Sequence, residues 1–350
     1  MKKINWGVIG LGFIANKFAN SFSIVNNASL RGIASLNTDR LHSFKKRFNV
    51  DDVLCFDNYE ELISSPKIDI IYIALPNSLH AKYIRESIIR KKNVLVEKPA
   101  FTAIEDLTTL KETLLKEKIF FTEAFMYRYL PYLQKVMEII NSNVLGNVVN
   151  MKSTFSIKVY KQKNFFGFKI KKPDYSNRLF SKKLGGGAIL DIGCYPLSLS
   201  TFINSLTYNV EFKDIILENV HSEYCESGVE IFSNLTLNFG NKFTSHITCS
   251  FKDNLNQQTI INFENGSLTI NESWIPGQKM FIVQKKDNKK LKINFTNNEN
   301  IYSYQIQNIS DQILNNKKNP YFPSMTLEEI EINTKLLSSW INFVKSIKNN

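Results

Sequence analysis

The chain has 350 residues, 43% hydrophobic and 22% charged, a globular composition that exceeds one ordinary core and predicts two domains. Lys and Arg number 44 against 32 Asp and Glu, a formal charge of +12 that suits nucleic acid, an anionic membrane or a phosphorylated small molecule without selecting among them. The longest apolar run, residues 70–76, falls far short of the ~20 residues a membrane span requires, and Cys55, Cys194, Cys225 and Cys249 show neither CxxC pairing nor metal-ligand spacing. The expectation is a cytoplasmic protein with reduced thiols, no metal and no membrane partner.

The first third alternates strands and helices. Residues 4–9 form a short β-rich run ending in Gly10, with helical pattern over 14–23. A second strand covers 30–34, followed by a helix carrying Leu41, Phe44 and Phe48. Asn58 and Glu61 read as a capping box. Residues 68–75 (IDIIYIAL) are continuously apolar, the pattern of a strand buried on both faces. Helix is expected over 78–91, strand over 94–96, a helix capped by Thr102 and Glu105, and strand over 119–121. That cadence predicts an α/β, doubly wound parallel sheet over residues 1–123.

From 124 onward the texture is α+β. Pro131 opens a helix to about Ile140. Alternation then predicts strands at 151–159, 229–239, 243–251, 259–263, 267–270, 279–283 and 291–295, a large and mostly antiparallel open sheet. Asn265-Gly266 is a two-residue hairpin signal, and a last helix capped at Thr326 and Glu329 runs to about Lys345.

Gly10-Leu-Gly12-Phe13-Ile14-Ala15 follows the first strand and opens the first helix. Gly10 permits a tight turn, Gly12 lets backbone approach a pyrophosphate, and the small Ala15 lets helix pack on sheet. A dinucleotide site with NAD specificity places an acid at the end of the second strand. Here stand Ser35, Leu36 and Asn37, with Arg40 nearby, which leans toward NADP and leaves NAD open. Arg40 as a solvated helix residue is the equal plain reading. Glu97-Lys98-Pro99 lies at the carboxyl edge of the sheet, where doubly wound folds bind ligands. Farther on, GGGAILDIGCYP reads as a glycine-rich helix start in which Asp191 and Tyr195, four apart, share a face, and Gly187 and Gly193 leave room for a ring.

The set GLGFIA, PNSLH, VEKPA, EAFMYRYLP and GGGAILDIGCYPL resembles the Gfo/Idh/MocA oxidoreductases over the whole chain. It is most similar to the branch with glucose–fructose oxidoreductase, dimeric dihydrodiol and xylose dehydrogenases, and sugar-nucleotide 3-ketoreductases. The resemblance implies hydride transfer between NAD(P) and a sugar or cyclic alcohol, and a C-terminal sheet that pairs subunits into a homodimer or homotetramer. Position by position, it implies Gly10, Gly12 and Ala15 at the phosphates. Leu75, Pro76, Asn77 and His80 would flank adenine, ribose and nicotinamide, with Arg128 near the nicotinamide. Lys98, before a Pro99 that is often cis, matches the catalytic lysine, and Asp191 and Tyr195 match the active-site pair. Leu36 departs from the Arg that NADP-using relatives often carry. A tyrosine titrates near ~10, and Lys98 as a neighbouring cation would lower that, so Tyr195 would exchange the proton as hydride moves.

Residues 158–183 carry nine Lys or Arg against the single acid Asp174, two-thirds of the chain's whole excess, with aromatics interleaved. A solvated loop is the bland reading, and basic-aromatic texture can also mean single-stranded nucleic acid. The position before GGGAILD instead suggests attraction of an anionic carbohydrate, and no helix-turn-helix, RNP or zinc pattern supports a nucleic-acid partner. A non-catalytic NAD(P) sensor and a redox-assisted lyase or hydrolase stay open as alternatives.

Overall fold

In the computed structural model, which describes residues 2–160 and 173–349, the first β-rich run forms strand β1 (Ile4–Ile9). Strands β2 (Ala28–Ala34), β3 (Cys55–Phe56), β4 (Ile70–Ile73), β5 (Asn93–Val96) and β6 (Phe121–Glu123) join it in the order β3-β2-β1-β4-β5-β6. Every pairing is parallel. Parallel strands need crossovers, and α1 (Phe13–Ala19), α2 (Thr38–Phe48), α3 (Tyr59–Ser64), α4 (His80–Ile89) and α5 (Ile104–Glu117) supply them. All four residues of β4 are buried, as its unbroken apolar run requires. This is the dinucleotide-binding arrangement, with its topological switch between β1 and β4.

The local signals hold at α3, where Asn58 Oδ1 accepts from the Glu61 N–H at 2.8 Å. They fail at α5, which starts at Ile104 with Ala103 at its N-cap and no side-chain cap, so Thr102 plays no such part.

The second sheet has eight strands: β7 (Val148–Ser156), β8 (Ile215–Tyr224), β9 (Glu230–Phe239), β10 (Phe243–Ser250), β11 (Thr259–Phe263), β12 (Gly266–Ile270), β13 (Lys279–Lys286) and β14 (Lys289–Thr296). Their order is β14-β13-β12-β11-β7-β10-β9-β8, antiparallel except for β7 against β10. Helices α6 (Pro131–Asn141) and α7 (Cys194–Thr207) belong with this sheet. The stretch 182–207 is long and apolar enough to pass for a membrane span, but its apolar part is almost wholly buried, the mark here of a core helix. Phe263 pairs with Gly266, so the hairpin turn is Glu264-Asn265, one residue before the expected pair. Gly266 begins β12, where a Cβ would lie 2.1 Å from the Lys285 carbonyl oxygen. β8, unforeseen from sequence, has only one buried residue in ten and so shows no clean alternation.

Helix α8 (Tyr302–Leu314), also unforeseen, corrects the expected division at 123/124. The chain through Leu130 forms one compact unit with Asn298–Glu331, and Pro131–Asn297 forms the other with the residues from Ile332 on. In the first unit Ile306 and Ile309 are buried in the cluster of Trp6, Val8, Phe18 and Tyr72. The Trp6 indole N–H bonds Ser310 Oγ at 3.0 Å. Helix α9 (Leu327–Asn349) starts with the expected box, Thr326 Oγ1 accepting from the Glu329 N–H at 3.2 Å and Glu329 Oε2 from the Thr326 N–H at 2.9 Å.

Candidate active site

In the first unit, the loops that follow β1, β4, β5 and β6 are bonded along one sheet edge. Gly10 N–H bonds Ala34 O at 3.2 Å, Ala74 N–H bonds Ile9 O at 2.9 Å, Glu97 N–H bonds Ile73 O at 3.0 Å, and Ala124 N–H bonds Val96 O at 2.8 Å. Gly10 sits at φ +85°, where a Cβ would come within 2.6 Å of the Ala74 carbonyl oxygen, so only glycine fits the turn. Gly12 differs. Its φ of −82° is ordinary, and a Cβ there would meet no atom within 4 Å. The fold's own packing therefore does not demand glycine at 12, whereas close approach of a pyrophosphate would. No side chain caps α1, and Ala15 is wholly buried, as close helix–sheet packing requires. These residues fit a dinucleotide. Gly12→Val is expected to leave the melting temperature within about 2 °C of the parent while raising the Kd for NAD(P)H at least about tenfold. Fluorescence titration beside a thermal melt checks both halves.

Phe13 and Leu36 are strongly exposed at 72% and 67%, whereas Ser35 is buried with its Oγ accepting from the Asn37 N–H. Asn37 caps α2 through the Arg40 N–H, which leaves the exposed Arg40 side chain uninvolved in the cap. Leu75, Pro76 and Asn77 lead through a 3₁₀ turn into α4. Glu97 and Lys98 are half-buried after β5, the Tyr72 hydroxyl donates to Glu97, and the Lys98–Pro99 peptide is cis.

Two residues that the resemblance implies at the cofactor prove buried. His80 is fully enclosed, its Nδ1 2.9 Å from Pro99 O and its Nε2 3.0 Å from Leu75 O. Arg128, 2% exposed, donates through Nε to Pro323 O at 2.9 Å and through Nη2 to Glu329 at 2.7 Å. Arg128 joins segments of the fold by donating to a carbonyl and a carboxylate, and His80 lies between two backbone carbonyls.

Glu123, at the end of β6, escaped sequence reasoning, although it is the lone charge in the otherwise uncharged stretch 119–127. Its Oε1 accepts from the Ala100 N–H at 2.9 Å. Burial pushes its carboxyl up to about 8. The Ala100 bond and the Arg128 and Lys98 cations pull it down, while Glu97 pushes further up. An unfolded glutamate titrates near ~4.3, so between there and about 8 the folded chain holds a proton that the unfolded chain has lost. Stability from this group is full at the acid end and falls as pH rises through the window. Glu123→Gln cannot titrate, so its melting temperature is expected to gain on the parent's steadily from about pH 5 to 8. Parallel slopes in paired melts would contradict this titration.

In the second unit, the expected helix start at 187–193 is a π-helical turn, Ile189–Gly193, running into α7. Pro196 can give no N–H to the Ile192 carbonyl, and its ring would crowd that oxygen in a regular helix, so a widened turn suits this sequence. Asp191 is 5% exposed, and both terminal guanidinium nitrogens of Arg178 donate to its Oδ1 at 3.1 Å. Tyr195 is 7% exposed, edge-on to Phe155 (centroids 5.1 Å apart) and Trp274 (6.0 Å). The indole N–H of Trp274 is fixed on Thr154 O at 2.8 Å. The room expected at the glycines is taken by the protein itself. A Cβ on Gly193 would lie 3.1 Å from the Trp340 ring, and one on Gly187 2.2 Å from the Glu230 carboxylate.

Of the basic segment, residues 161–172 lie outside the described residues. Arg178 is spoken for by Asp191, which makes the surplus smaller than the raw count. Among the described residues no cluster of three or more His, Cys, Asp or Glu could hold a metal.

A family model described as oxidoreductase family, NAD-binding Rossmann fold, matches residues 4–125, and one for the GFO/IDH/MocA C-terminal domain matches 133–269. The chain belongs to the Gfo/Idh/MocA oxidoreductase family. It is an NAD(P)-binding oxidoreductase with a Rossmann domain. The trans-1,2-dihydrobenzene-1,2-diol dehydrogenase of Xenopus tropicalis is 25% identical over 336 residues, covering 93% of this chain and 94% of the relative. Glucose-6-phosphate 3-dehydrogenase of Bacillus subtilis is 32% identical over 203 residues, 58% of this chain and 54% of that one. The solved structure of KijD10, a 3-ketoreductase from Actinomadura kijaniata in complex with NADP and TDP-benzene, superposes with a TM-score of 0.81 at 20% identity and 97% coverage of both chains.

Proposed function

We propose that this member moves hydride between NAD(P) and a hydroxyl or ketone of a sugar, sugar nucleotide or related cyclic polyol. The observation that carries the reading is Lys98, a half-buried cation at the Rossmann sheet edge whose following residues are held on both sides by buried polar groups. When bound, the nicotinamide supplies a hydride acceptor or donor. The chain's own task is the proton. Tyr195 exchanges it with the substrate oxygen, its ring held upright by Phe155 and Trp274. Lys98 stabilises the charge that develops there, and Asp191 accepts a hydrogen bond from a second substrate hydroxyl.

Carbohydrate as the substrate class is supported by the relatives' names, which include D-xylose and glucose 6-phosphate dehydrogenases. An anionic sugar is favoured by Lys182 and Lys183, which lie just before the GGG turn. The test is mass spectrometry of the co-purified cofactor. A panel of sugars, sugar phosphates and sugar nucleotides, followed at the NAD(P)H absorbance, comes next. A protein that carries NAD(P) yet oxidises or reduces no member of the panel with either cofactor would overturn the carbohydrate reading.

A further inference from the structure

Lys98 sits in a short loop whose next two residues have their backbone polar groups taken by two buried side chains from different elements. On one side His80, from the start of α4, sets Nδ1 2.9 Å from Pro99 O and Nε2 3.0 Å from Leu75 O; both oxygens only accept, so the Nδ1–H tautomer is the one that holds Pro99 O. On the other, Glu123 at the end of β6 receives the Ala100 N–H at 2.9 Å. His80 is 0% and Glu123 3% exposed. Burying an imidazole and a carboxyl is costly unless each is hydrogen-bonded, and an apolar pair of equal size would fill the same volume without that cost. What an apolar pair could not do is fix both the carbonyl of 99 and the amide of 100, and so the direction in which the chain leaves Lys98.

We propose that His80 and Glu123 are a two-sided clamp of positioning residues that holds the Lys98 loop in its working geometry. The inference rests on Lys98 being the charge-stabilising cation proposed above. Neither side chain need touch cofactor or substrate. Both act through backbone atoms one and two residues beyond Lys98. The charges around Glu123 are Arg128, Glu97 and Lys98 itself. A neutral amide at 123 still accepts the Ala100 N–H, so the clamp depends on an acceptor there rather than on a charge.

The test is trace acetylation of the whole protein with acetic anhydride, the rate at Lys98 being read by peptide mass spectrometry against exposed Lys213 as internal standard. His80→Leu and Glu123→Leu are each expected to raise the Lys98 rate at least about threefold by loosening the loop, with Lys213 unchanged. Glu123→Gln should return it to within about twofold of the parent, because the acceptor is restored. Where a Leu variant does not fold, Glu123→Asp, whose shorter side chain draws the acceptor back, is read by the same criterion. A Lys98 rate within about twofold of the parent in the folded variants overturns the clamp. In turnover, the Leu variants should lower kcat about tenfold in the parent but less than about twofold in a Lys98→Ala background, since the effect passes through Lys98. Full turnover by Lys98→Ala would defeat the proposed function while the labelling still judges the clamp. Unchanged labelling with an inactive Lys98→Ala would defeat the clamp alone.

Discussion

Replacing Lys98 by alanine is expected to lower turnover about a thousandfold while the Kd for NAD(P)H stays within about threefold of the parent. The split follows from where the residue stands. The glycine turn after β1 is the expected place for the cofactor's phosphates, whereas Lys98 follows β5 on the same edge and is not part of that turn. Tyr195→Phe should give a comparable loss for a cleaner reason. The phenylalanine keeps the edge-on contacts with Phe155 and Trp274 and removes only the hydroxyl. If the two residues serve one proton transfer, the double variant will be little worse than the poorer single one, because groups acting as a unit are not additive. Multiplying losses in steady-state kinetics would separate them into different steps, and full activity in either single variant would remove it from the chemistry.

Arg128→Ala is expected to act on stability. The guanidinium is 2% exposed and joins the 3₁₀ turn at Met126–Tyr129 to Pro323 and to Glu329 in the first turn of α9. Removing one partner of a buried pair costs about 3–5 kcal/mol, and Glu329, itself 24% exposed, places this case at the lower end. A urea melt should therefore lose about 3 kcal/mol, and Arg128→Lys should rescue it poorly, since one ammonium cannot reproduce the fork. A direct contact with nicotinamide, as the family resemblance implies for this position, would give the reverse: a weakened cofactor affinity at nearly unchanged stability. The two measurements on one variant decide between these roles.

Whatever depends on neighbours along the chain was legible without the structure. The parallel sheet could be read from the strand–helix cadence, and the tight turn after β1 from glycines two apart after a strand. The placement of Lys98 at the binding edge followed from an apolar strand ending in Glu-Lys-Pro. The caps at Asn58 and Thr326 could be read because a capping bond spans three residues. Legibility weakened at β8, a largely exposed strand without alternation, and at 187–193, where the helix widens into a π turn just before Pro196.

Tertiary structure alone decided which partner each buried polar group would find. Arg128 is 195 residues from the Pro323 carbonyl and 201 from Glu329, and Trp6 is 304 from Ser310, one of the contacts that tie α8 to the first unit. No pattern in the sequence indicates such pairs, because a buried donor takes the acceptor that packing brings within about 3 Å, whatever the sequence separation. The same logic set the His80 ring beside the Pro99 and Leu75 carbonyls, and gave the space beside Gly193 to Trp340. It also drew Arg178 out of the apparent charge surplus and onto Asp191. The chain's opening excess of positive charge is thus a sum over residues, while the charge available to a substrate depends on which of them the fold has already paired.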